Sequence, residues 1–347
     1  MTLKKLLALL LAGIMLFTLS ACGGADNPTV DEPDDGTSSQ PAEDNTSKFA
    51  VNPLTGEQTL DPAAAGKKPV AIMINNVSVA QKVQSGISSA DVVFETEVEG
   101  GITRLLAVFS DVSKVGKIGT LRSLRVPYAD IACGMDALLF YHGMDEDYCR
   151  PHVKSIDLTY TAIDNAKYCN REENGLAYEH RLYTSGDRVA QLIADKGLDD
   201  SGSTTPWLSF SSSADKTAAG ATAANKAIVK FTNSNATHFV YDAAEKKYIR
   251  TKNGDPYIDY GTNTKELFTN VFVLHTTISN YSDGYHKKVD FTGGNGYYIS
   301  AGGATEIKWS KGASENNFVF TTLDGKALTV NQGNSFVCIS AGTVAFE

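Results

Sequence analysis

Short apolar runs, some of them nearly continuous, punctuate the first half of the chain. They are rich in β-branched and aromatic residues, and they predict buried strands at residues 69–75, 91–95, 103–109 and 136–142. Residues 123–134 and 185–196 predict two helices, because each segment begins at a serine and ends at or just before a glycine. Strands and helices therefore mix over residues 49–198, which predicts an N-terminal α/β domain with a central sheet.

The second half shows a different pattern, in which aromatic and β-branched positions alternate with polar ones between turn signals. Strands are predicted at residues 238–242, 247–251, 268–277, 287–291, 296–299, 306–309, 317–321 and 335–339. Asn253-Gly254 and Asp324-Gly325 indicate hairpin turns. Residues 227–347 are therefore expected to form a smaller, mostly antiparallel β domain, closed or partly closed as a barrel or sandwich. The predicted fold class is α+β.

Two segments have compositions that cannot form a core. Residues 22–48 consist almost entirely of small, polar and acidic residues, with seven acids. They predict a disordered acidic tether with a root-mean-square reach of about 25–30 Å. Residues 199–226 shift to Ser, Thr, Ala, Gly and Asp, and they predict the junction between the two domains.

The first 22 residues have the pattern of a bacterial lipoprotein signal. Lys4 and Lys5 precede an apolar stretch over residues 6–19, and small residues stand just before Cys22. This pattern predicts a signal peptide over residues 1–21 and a diacylglycerol lipid, with acyl groups such as palmitate, on Cys22. Since two acyl chains give lasting membrane attachment, the expected location is the extracytoplasmic face of the bacterial cell membrane. The alternative is a plain secretory signal with an incidental cysteine.

Composition and charge exclude several classes of protein. The chain has 347 residues, of which 42% are hydrophobic and only 20% are charged, so it is neither wholly disordered nor a coiled coil. Its formal net charge is −9, and it has no basic run. A chain of this charge gains nothing by releasing counterions from a phosphate backbone, so nucleic acid is not an expected partner.

The remaining cysteines are Cys133, Cys149, Cys169 and Cys338. An extracytoplasmic location permits a disulfide, with Cys149 and Cys169 as the pair, but free buried thiols are the favoured alternative. A zinc site from Cys149, His152 and Cys169 lacks the second half of a finger-like spacing. The sequence therefore predicts no metal site, and it leaves the disulfide open.

A strand-to-helix connection carries two arginines, Arg122 and Arg125, with Ser123 available as a helix cap. Free backbone N–H groups, the helix dipole and two guanidinium groups would all attract an anion at such a corner. The corner is therefore a candidate site for a carboxylate or phosphate. The structural alternative is that the arginines pair with acids such as Glu95 or Glu99.

Candidate chemistry is concentrated in an acidic segment and at one strand end. Glu95, Glu97 and Glu99 would share one face if their strand continued to residue 100. Such carboxylates could bind a cation or act as an acid/base pair, or they could form a solvated edge with Arg104 as counterion. His142 follows another predicted strand. It could act as a base or as a ligand, or it could be an ordinary surface residue. No transpeptidase, zinc-protease, hydrolase-elbow or phosphate-loop motif occurs, and no cofactor is expected.

Several motifs together resemble the YerB-like bacterial lipoproteins, a family with two successive domains of unknown function. The motifs are Asn52-Pro53-Leu54-Thr55-Gly56, the run from Pro69 to Asn76, Gln84-Ser85-Gly86-Ile87, Ala90-Asp91-Val92-Val93, the run from Val98 to Arg104, and Arg122-Ser123-x-Arg125. The resemblance implies a lipid-anchored envelope protein associated with the peptidoglycan synthesis machinery. This sequence departs from the family pattern at Asn75, where the family pattern has Asp, and at Val83, where it has Pro.

The ligand-binding candidates are the polar residues of these motifs: Asn76, Glu99, Arg104, Arg122, Ser123 and Arg125. The leading hypothesis is a non-enzymatic protein that binds an envelope protein or an anionic small ligand such as a muropeptide. One alternative is a glycan or peptide hydrolase or transferase that uses the clustered carboxylates. A second alternative is a solute-binding lipoprotein, which requires a deep cleft between two hinged domains. The oligomeric state is left open.

Overall fold

A computed structural model of the protein describes residues 48–347, which form one compact unit. The predicted signal peptide, the lipidation of Cys22 and nearly all of the predicted tether lie outside the described residues. Within the described part, strands far outnumber helices, as the predicted α+β class requires. None of its helices combines the length and apolar character needed to cross a bilayer.

The first half contains the main helices and the first group of strands. The strands are β1 Val70–Asn75, β2 Val92–Glu97, β3 Thr103–Phe109, β4 Ile118–Gly119, β5 Leu138–Tyr141, β6 Tyr160–Ala162, β7 Asn170–Arg171 and β8 Leu182–Thr184. The helices are α1 Val126–Gly134, α2 Cys149–Val153 and α3 Gly186–Lys196. Short 3₁₀ turns occur at Pro62–Ala64, Gln81–Val83, Ile87–Ser89, Glu99–Gly101, Val112–Lys114 and Tyr178–His180.

Within the described residues, the second half is built from strands. They are β9 Ser209–Phe210, β10 Thr222–Ala223, β11 Lys226–Lys230, β12 Ala236–Asp242, β13 Lys247–Lys252, β14 Asp255–Pro256, β15 Leu267–Phe268, β16 Asn270–His275, β17 Ile278–Asn280, β18 Lys287–Val289, β19 Gly294–Ser300, β20 Gly303–Ser310, β21 Val319–Thr321, β22 Thr329–Val330, β23 Ser335–Ser340 and β24 Val344–Phe346.

One large sheet runs through both halves of the chain. Its strand order is β10-β20-β19-β16-β23-β2-β3-β1-β5-β6, with β21 paired to β20. Strand β23, near the end of the chain, pairs in parallel with β16 on one side and with β2 on the other. The two halves are therefore joined by continuous backbone hydrogen bonding.

Alternate residues of the central strands enter two separate cores, because side chains alternate across a sheet. In β2, Val92 and Phe94 pack on one face with α1, whereas Val93 packs on the other face. Both faces are covered, so these strands are buried along their whole length. The nearly continuous apolar runs in the sequence are the signature of this double coverage.

A six-stranded antiparallel sheet, of order β14-β13-β12-β11-β24 with β15 paired to β13, packs against the second core. Phe336 of the large sheet makes edge contacts with Phe239 and Phe268 of the smaller one, at ring distances of 5.1 and 5.0 Å. The smaller sheet comes wholly from the second half, and it faces the strands that the second half adds to the large sheet. This is the sandwich form of the predicted β domain rather than a barrel.

Most predicted elements are present with bounds shifted by a few residues. The Asn253-Gly254 hairpin is confirmed, since both residues have positive φ and Lys252 pairs with Asp255. The prediction that Ser123 caps the first helix is wrong, because that helix begins at Val126. Elements such as β6, β11 and α2 were not predicted, since they are too short or too polar to give a periodic signal.

The predicted junction, residues 199–226, is packed against the rest of the protein. The indole N–H of Trp207 donates to the carbonyl of Leu54 at 2.8 Å, and β10 pairs with β20. This segment therefore contacts both halves. The predicted domain boundaries stay predictions, and unfolding experiments can test whether the halves are independent.

We expect the described part of the chain to unfold in one transition. Separation of the halves would expose the edges of β2 and β23 and divide the second core, so neither half is expected to remain folded alone. Differential scanning calorimetry should therefore give one peak, with agreement between calorimetric and van't Hoff enthalpies. Two resolved peaks would show that the halves are separate folding units.

Candidate functional site

Arg104 and Arg125 both bind the carboxylate of Glu99. Nη2 of Arg104 lies 2.9 Å from Oε1 of Glu99, and Nε of Arg125 donates to its Oε2 at 2.9 Å. Burial alone would raise the pKa of Glu99, but the hydrogen bond from Arg125 and the two positive charges outweigh it and lower that pKa. Burial, with the nearby charge of Arg125, lowers the pKa of Arg104 to about 10. Arg125 is therefore occupied by Glu99, as the structural alternative predicts.

Arg122 lies apart from this cluster. Its nearest carboxylate is that of Glu179, at 3.9 Å, and its side chain is 28% exposed. Ser123 contributes its carbonyl oxygen, which accepts a hydrogen bond from Arg104. Because Arg122 and Arg125 face different carboxylates, the structure does not favour the predicted three-residue anion corner. That corner stays a prediction.

The three acids of the 95–99 segment have separate surroundings. Glu95 is fully buried, and Glu97 forms an ion pair with Lys287 at 2.8 Å. Glu99 binds arginines in a 3₁₀ turn, because β2 ends at Glu97. The expectation that all three carboxylates share one face is therefore wrong. The described residues also contain no group of three or more His, Cys, Asp or Glu side chains placed to hold a metal ion.

His142 is held between two hydrogen-bonding partners. Its Nδ1 lies 3.0 Å from the carbonyl oxygen of Ile163, and its Nε2 lies 3.4 Å from Nη2 of Arg171. A carbonyl can only accept and a guanidinium can only donate, so these partners assign a neutral imidazole with its proton on Nδ1. Neither contact brings His142 to the acidic segment.

The four described cysteines, Cys133, Cys149, Cys169 and Cys338, are buried and free. Burial raises the pKa of Cys149 to about 12, with the charge of Asp145 adding to the effect. His152 binds Asp130 at 2.6 Å rather than a cysteine. The free-thiol alternative therefore describes this structure, and the suggested zinc ligands have other partners.

A large, polar cavity lies where loops of both halves meet. Its volume is about 400 Å³, and its lining comes from four segments, residues 76–81, 100–102, 230–238 and 252–257. The lining carries two lysines, one histidine, five side-chain amides and several hydroxyl groups: Lys230, Lys252, His238, Asn76, Gln81, Asn233, Asn235, Asn253, Ser78, Thr232, Ser234 and Tyr257. None of the described residues that line it has a carboxylate side chain. We call this space the polar cavity.

Asn76 connects the polar cavity to a buried carboxylate behind it. Its Nδ2 donates to Glu95 Oε1 and to Thr103 Oγ1, each at 2.8 Å. Thr103 and Thr237 also donate to Glu95, at 2.6 and 2.8 Å. Glu95 therefore has three donors from three strands or strand ends, which fix the orientation of the Asn76 amide at the cavity wall.

Arg250 lies beside this carboxylate and is fully buried. Its guanidinium donates to Glu266 Oε2 and to Asn76 Oδ1, both at 3.0 Å. Its plane also lies over the ring of Tyr257, at 4.2 Å from the ring centre. Arg250 thus joins β13 of the second half to the Asn76 amide of the first half.

The buried charges are unequal in number, with two carboxylates and one guanidinium. Burial raises the pKa of Glu95 and of Glu266, and the charge of Arg250 opposes the increase in both. Glu266 Oε1 and Arg250 Nε have no hydrogen-bond partner among the described residues. A network with raised carboxyl pKa values and unpaired polar atoms is sensitive to the loss of its single cation.

Lys252 projects from the end of the same strand into the polar cavity. Its Nζ donates to Ser78 Oγ at 2.7 Å and to Gln81 Oε1 at 2.5 Å, and no carboxylate pairs with it in the described part of the chain. Burial, with the positive charge of Arg250, lowers its pKa. Lys252 is therefore a partly desolvated cation with neutral partners, and an anionic ligand group could pair with it.

The lining of the polar cavity also includes the double glycine of the Val98–Arg104 motif. Gly100 and Gly101 both have positive φ, 71° and 69°, which only glycine adopts readily. No atom lies within 4 Å of the positions where their β-carbons would be. The backbone at this bend is therefore open to the cavity, and a ligand can approach it closely.

Comparison with known families assigns this architecture. Residues 54–199 match the profile described as "Protein of unknown function (DUF3048) N-terminal domain", and residues 227–337 match the corresponding C-terminal domain. Together the two matches span most of the chain. The chain belongs to the DUF3048 family.

Relatives of this DUF3048 protein agree with that assignment. The Bacillus subtilis (strain 168) protein described as "Putative lipoprotein YerB" is 26% identical over 305 residues, which cover 85% of this chain and 87% of the relative. The crystal structure of YerB from Bacillus subtilis is similar with a TM-score of 0.73 at 25% identity, over 85% of this chain and 99% of that one. The resemblance to YerB-like lipoproteins is confirmed.

Among the predicted site residues of this DUF3048 protein, Asn76 lines the polar cavity. The cations that line it, Lys230 and Lys252, were not predicted, and neither was Arg250, which lies behind Asn76. One sequence signal existed, since Arg250 falls between Tyr248 and Lys252 at positions of a strand that share one face. A charged residue at an inward position of a strand indicates a buried polar partner, but it does not name that partner.

Proposed function

We propose that this DUF3048 protein is a lipid-anchored binding protein on the extracytoplasmic face of the bacterial cell membrane. Its polar cavity would bind a hydroxylated, negatively charged ligand, of the kind found in cell-wall glycans. Through that ligand the protein would associate with the peptidoglycan synthesis machinery. The observation that carries the proposal is a cavity of about 400 Å³ lined by amides, hydroxyls and cations, without a carboxylate.

The lining chemistry supports a hydroxylated ligand. Side-chain amides both donate and accept, so they can satisfy the hydroxyl groups of a sugar in either direction. The lining includes five such amides, among them Asn233 and Asn253. The amide of Asn76 already uses both N–H groups and its oxygen within the protein, so it orders the cavity wall before any ligand arrives and lowers the entropic cost of binding.

The charge of the cavity supports a ligand with an anionic group. Lys230 and Lys252 provide positive charge at the lining, whereas the protein as a whole carries a formal charge of −9. An acidic chain with a locally basic cavity attracts an anion to that position rather than to its general surface. The proposed location rests on the lipoprotein description of the relative and on the signal-like sequence before Cys22.

The two alternative functions have less support. A hydrolase would need carboxylates at a common reactive centre, but Glu95, Glu97 and Glu99 have separate partners. A hinged solute-binding protein would need two bodies that can close on a ligand. The pairing of β2 with β23 joins the halves in one sheet instead.

We expect the purified full-length protein to bind N-acetylmuramic acid at least tenfold more tightly than the neutral sugar N-acetylglucosamine, as measured by isothermal titration calorimetry. The lactyl carboxylate would accept from Lys252, and a hydrogen bond between charged groups contributes about 1.5–3 kcal/mol. Replacing Lys252 with glutamine should remove the preference for the acid, since glutamine can still donate to Ser78 but carries no charge.

Lys288→Gln is the matched control, because Lys288 is a lysine of similar type that lies on β18 and lines no part of the polar cavity. This variant should bind both sugars as the unchanged protein does. Failure of the unchanged protein to bind either sugar would overturn the proposed function. An equal loss in both lysine variants would show that the preference comes from general charge rather than from the cavity.

A further inference from the structure

A second cavity adjoins the polar cavity and shares part of its wall. It has a volume of about 390 Å³, and five residues line both spaces: Ser78, Gln81, Lys252, Asn253 and Tyr257. The side chains of Lys82, Asp255, Pro256 and Ile258 line only the second space. We call it the side cavity.

The chemistry of the side cavity differs from that of the polar cavity. It presents one additional cation, Lys82, one carboxylate, Asp255, and the apolar side chains of Pro256 and Ile258. Ile258 is 39% exposed, so its side chain is accessible to a ligand in this space. A short acidic peptide matches these neighbours better than a sugar does, because its carboxylate can pair with Lys82, an amide N–H can donate to Asp255 and an aliphatic side chain can pack on Ile258.

Lys252 separates the two cavities. Its amino group spans from the hairpin of the second half to Ser78 and Gln81 of the first half. These hydrogen-bonded side chains form part of the shared wall, and all three residues line both cavities. A ligand that fills both spaces would therefore cross at Lys252, where a carbonyl or carboxylate oxygen can accept from its ammonium group.

We infer that the two cavities take a single two-part ligand, in which a hydroxylated glycan part lies in the polar cavity and a short peptide part lies in the side cavity. This inference rests on the proposed function, because it assigns the glycan to the polar cavity. It adds the peptide part, and it places Lys252 at the junction between the glycan part and the peptide part. Ile258, Asp255 and Lys82 become determinants of the peptide part.

Joining two parts that bind neighbouring sites raises affinity, because the second part binds as an intramolecular step at high effective concentration. N-acetylmuramyl-L-alanyl-D-glutamate is therefore expected to bind at least tenfold more tightly than N-acetylmuramic acid. The free dipeptide L-alanyl-D-glutamate should bind weakly. The gain requires both cavities to be occupied at once, so it distinguishes one two-part ligand from two unrelated ones.

The experiment measures these three compounds by calorimetry on the full-length protein and on three variants. Lys230→Gln alters only the polar cavity, Ile258→Ser alters only the side cavity, and Lys288→Gln alters neither. Lys230→Gln should weaken the binding of both muramyl compounds. Ile258→Ser should remove the gain from the peptide while leaving the affinity for N-acetylmuramic acid unchanged. Thermal unfolding of each variant confirms that it is folded.

The outcomes separate the inference from the proposed function. Equal affinity for the muramyl dipeptide and N-acetylmuramic acid would overturn the inference while leaving the polar cavity as a glycan site. A peptide gain that persists in Ile258→Ser would also overturn it, since the peptide would then lie elsewhere. Absence of binding by all three compounds would overturn both.

Discussion

Replacement of Arg250 with methionine is expected to lower the free energy of unfolding by about 3–5 kcal/mol. Arg250 is fully buried and is the single cation in contact with Glu266, and its removal leaves two buried carboxyl groups without a counter-charge. Asn76 Oδ1 would also lose one of its donors, while Gln84 Nε2 would remain at 2.9 Å. Urea denaturation monitored by circular dichroism measures the loss.

The loss should depend on pH in a defined direction. Glu95 and Glu266 have raised pKa values in the folded protein, so folding favours their protonated forms. A raised carboxyl pKa costs no stability below the unfolded value of about 4.3, and it costs progressively more as pH rises to the folded value. Without Arg250 both pKa values rise further. The variant should therefore be more strongly destabilised at pH 8 than at pH 5.

Two further variants make this prediction specific. Arg250→Met combined with Glu266→Leu removes both members of the ion pair, and it should recover part of the stability because fewer charges remain buried. Arg150→Met removes an arginine whose partner Glu146 is exposed, and it should leave the unfolding midpoint unchanged. Equal destabilisation by Arg250→Met and Arg150→Met would contradict the assigned importance of the buried network.

Replacement of Glu99 with glutamine is expected to lower the free energy of unfolding by about 3 kcal/mol. The substitution leaves Arg104, which is 5% exposed, and the largely buried Arg125 without a carboxylate. Glutamine can still accept one hydrogen bond, which keeps the effect at the lower end for a buried pair. Chemical denaturation at neutral pH measures it.

The pH dependence of this second variant runs opposite to that of the first. The pKa of Glu99 is lowered on folding, so the carboxylate contributes stability above its unfolded pKa and loses that contribution as pH falls through the folded value. The difference between the unchanged protein and Glu99→Gln should therefore shrink as pH falls from 6 toward 3. A difference that is constant with pH would show that ionisation of Glu99 does not stabilise the fold.

Arg122→Gln is the control for the arginine corner. Arg122 is partly exposed and lies 3.9 Å from Glu179, so its loss should change stability by no more than about 0.5 kcal/mol. A destabilisation as large as that of Glu99→Gln would show that Arg122 belongs to the structural cluster. The expected contrast would confirm that two arginines close together in sequence have separate surroundings.

The sequence by itself determined most strands of the large sheet and the class of the fold. Residues 103–109 form a strand with the predicted bounds. A strand that is covered on both faces is apolar along most of its length, and such a run is easily recognised in the sequence. Asn253 and Gly254 determined a hairpin, since both adopt positive φ at low cost. Motifs such as the run from Val98 to Arg104 also indicated the family. Each of these signals is local along the chain.

Tertiary structure alone decided which polar residues meet. Glu95 and Arg250 are 155 positions apart, and they come together only because the smaller sheet packs over the face of β2 that carries Glu95. The partner of Arg125 was likewise fixed by the turn that ends β2 at Glu97. Periodicity gives the face of a strand on which a charge lies, but it does not give the element that covers that face. The polar cavity therefore depends on long-range packing that no local pattern encodes.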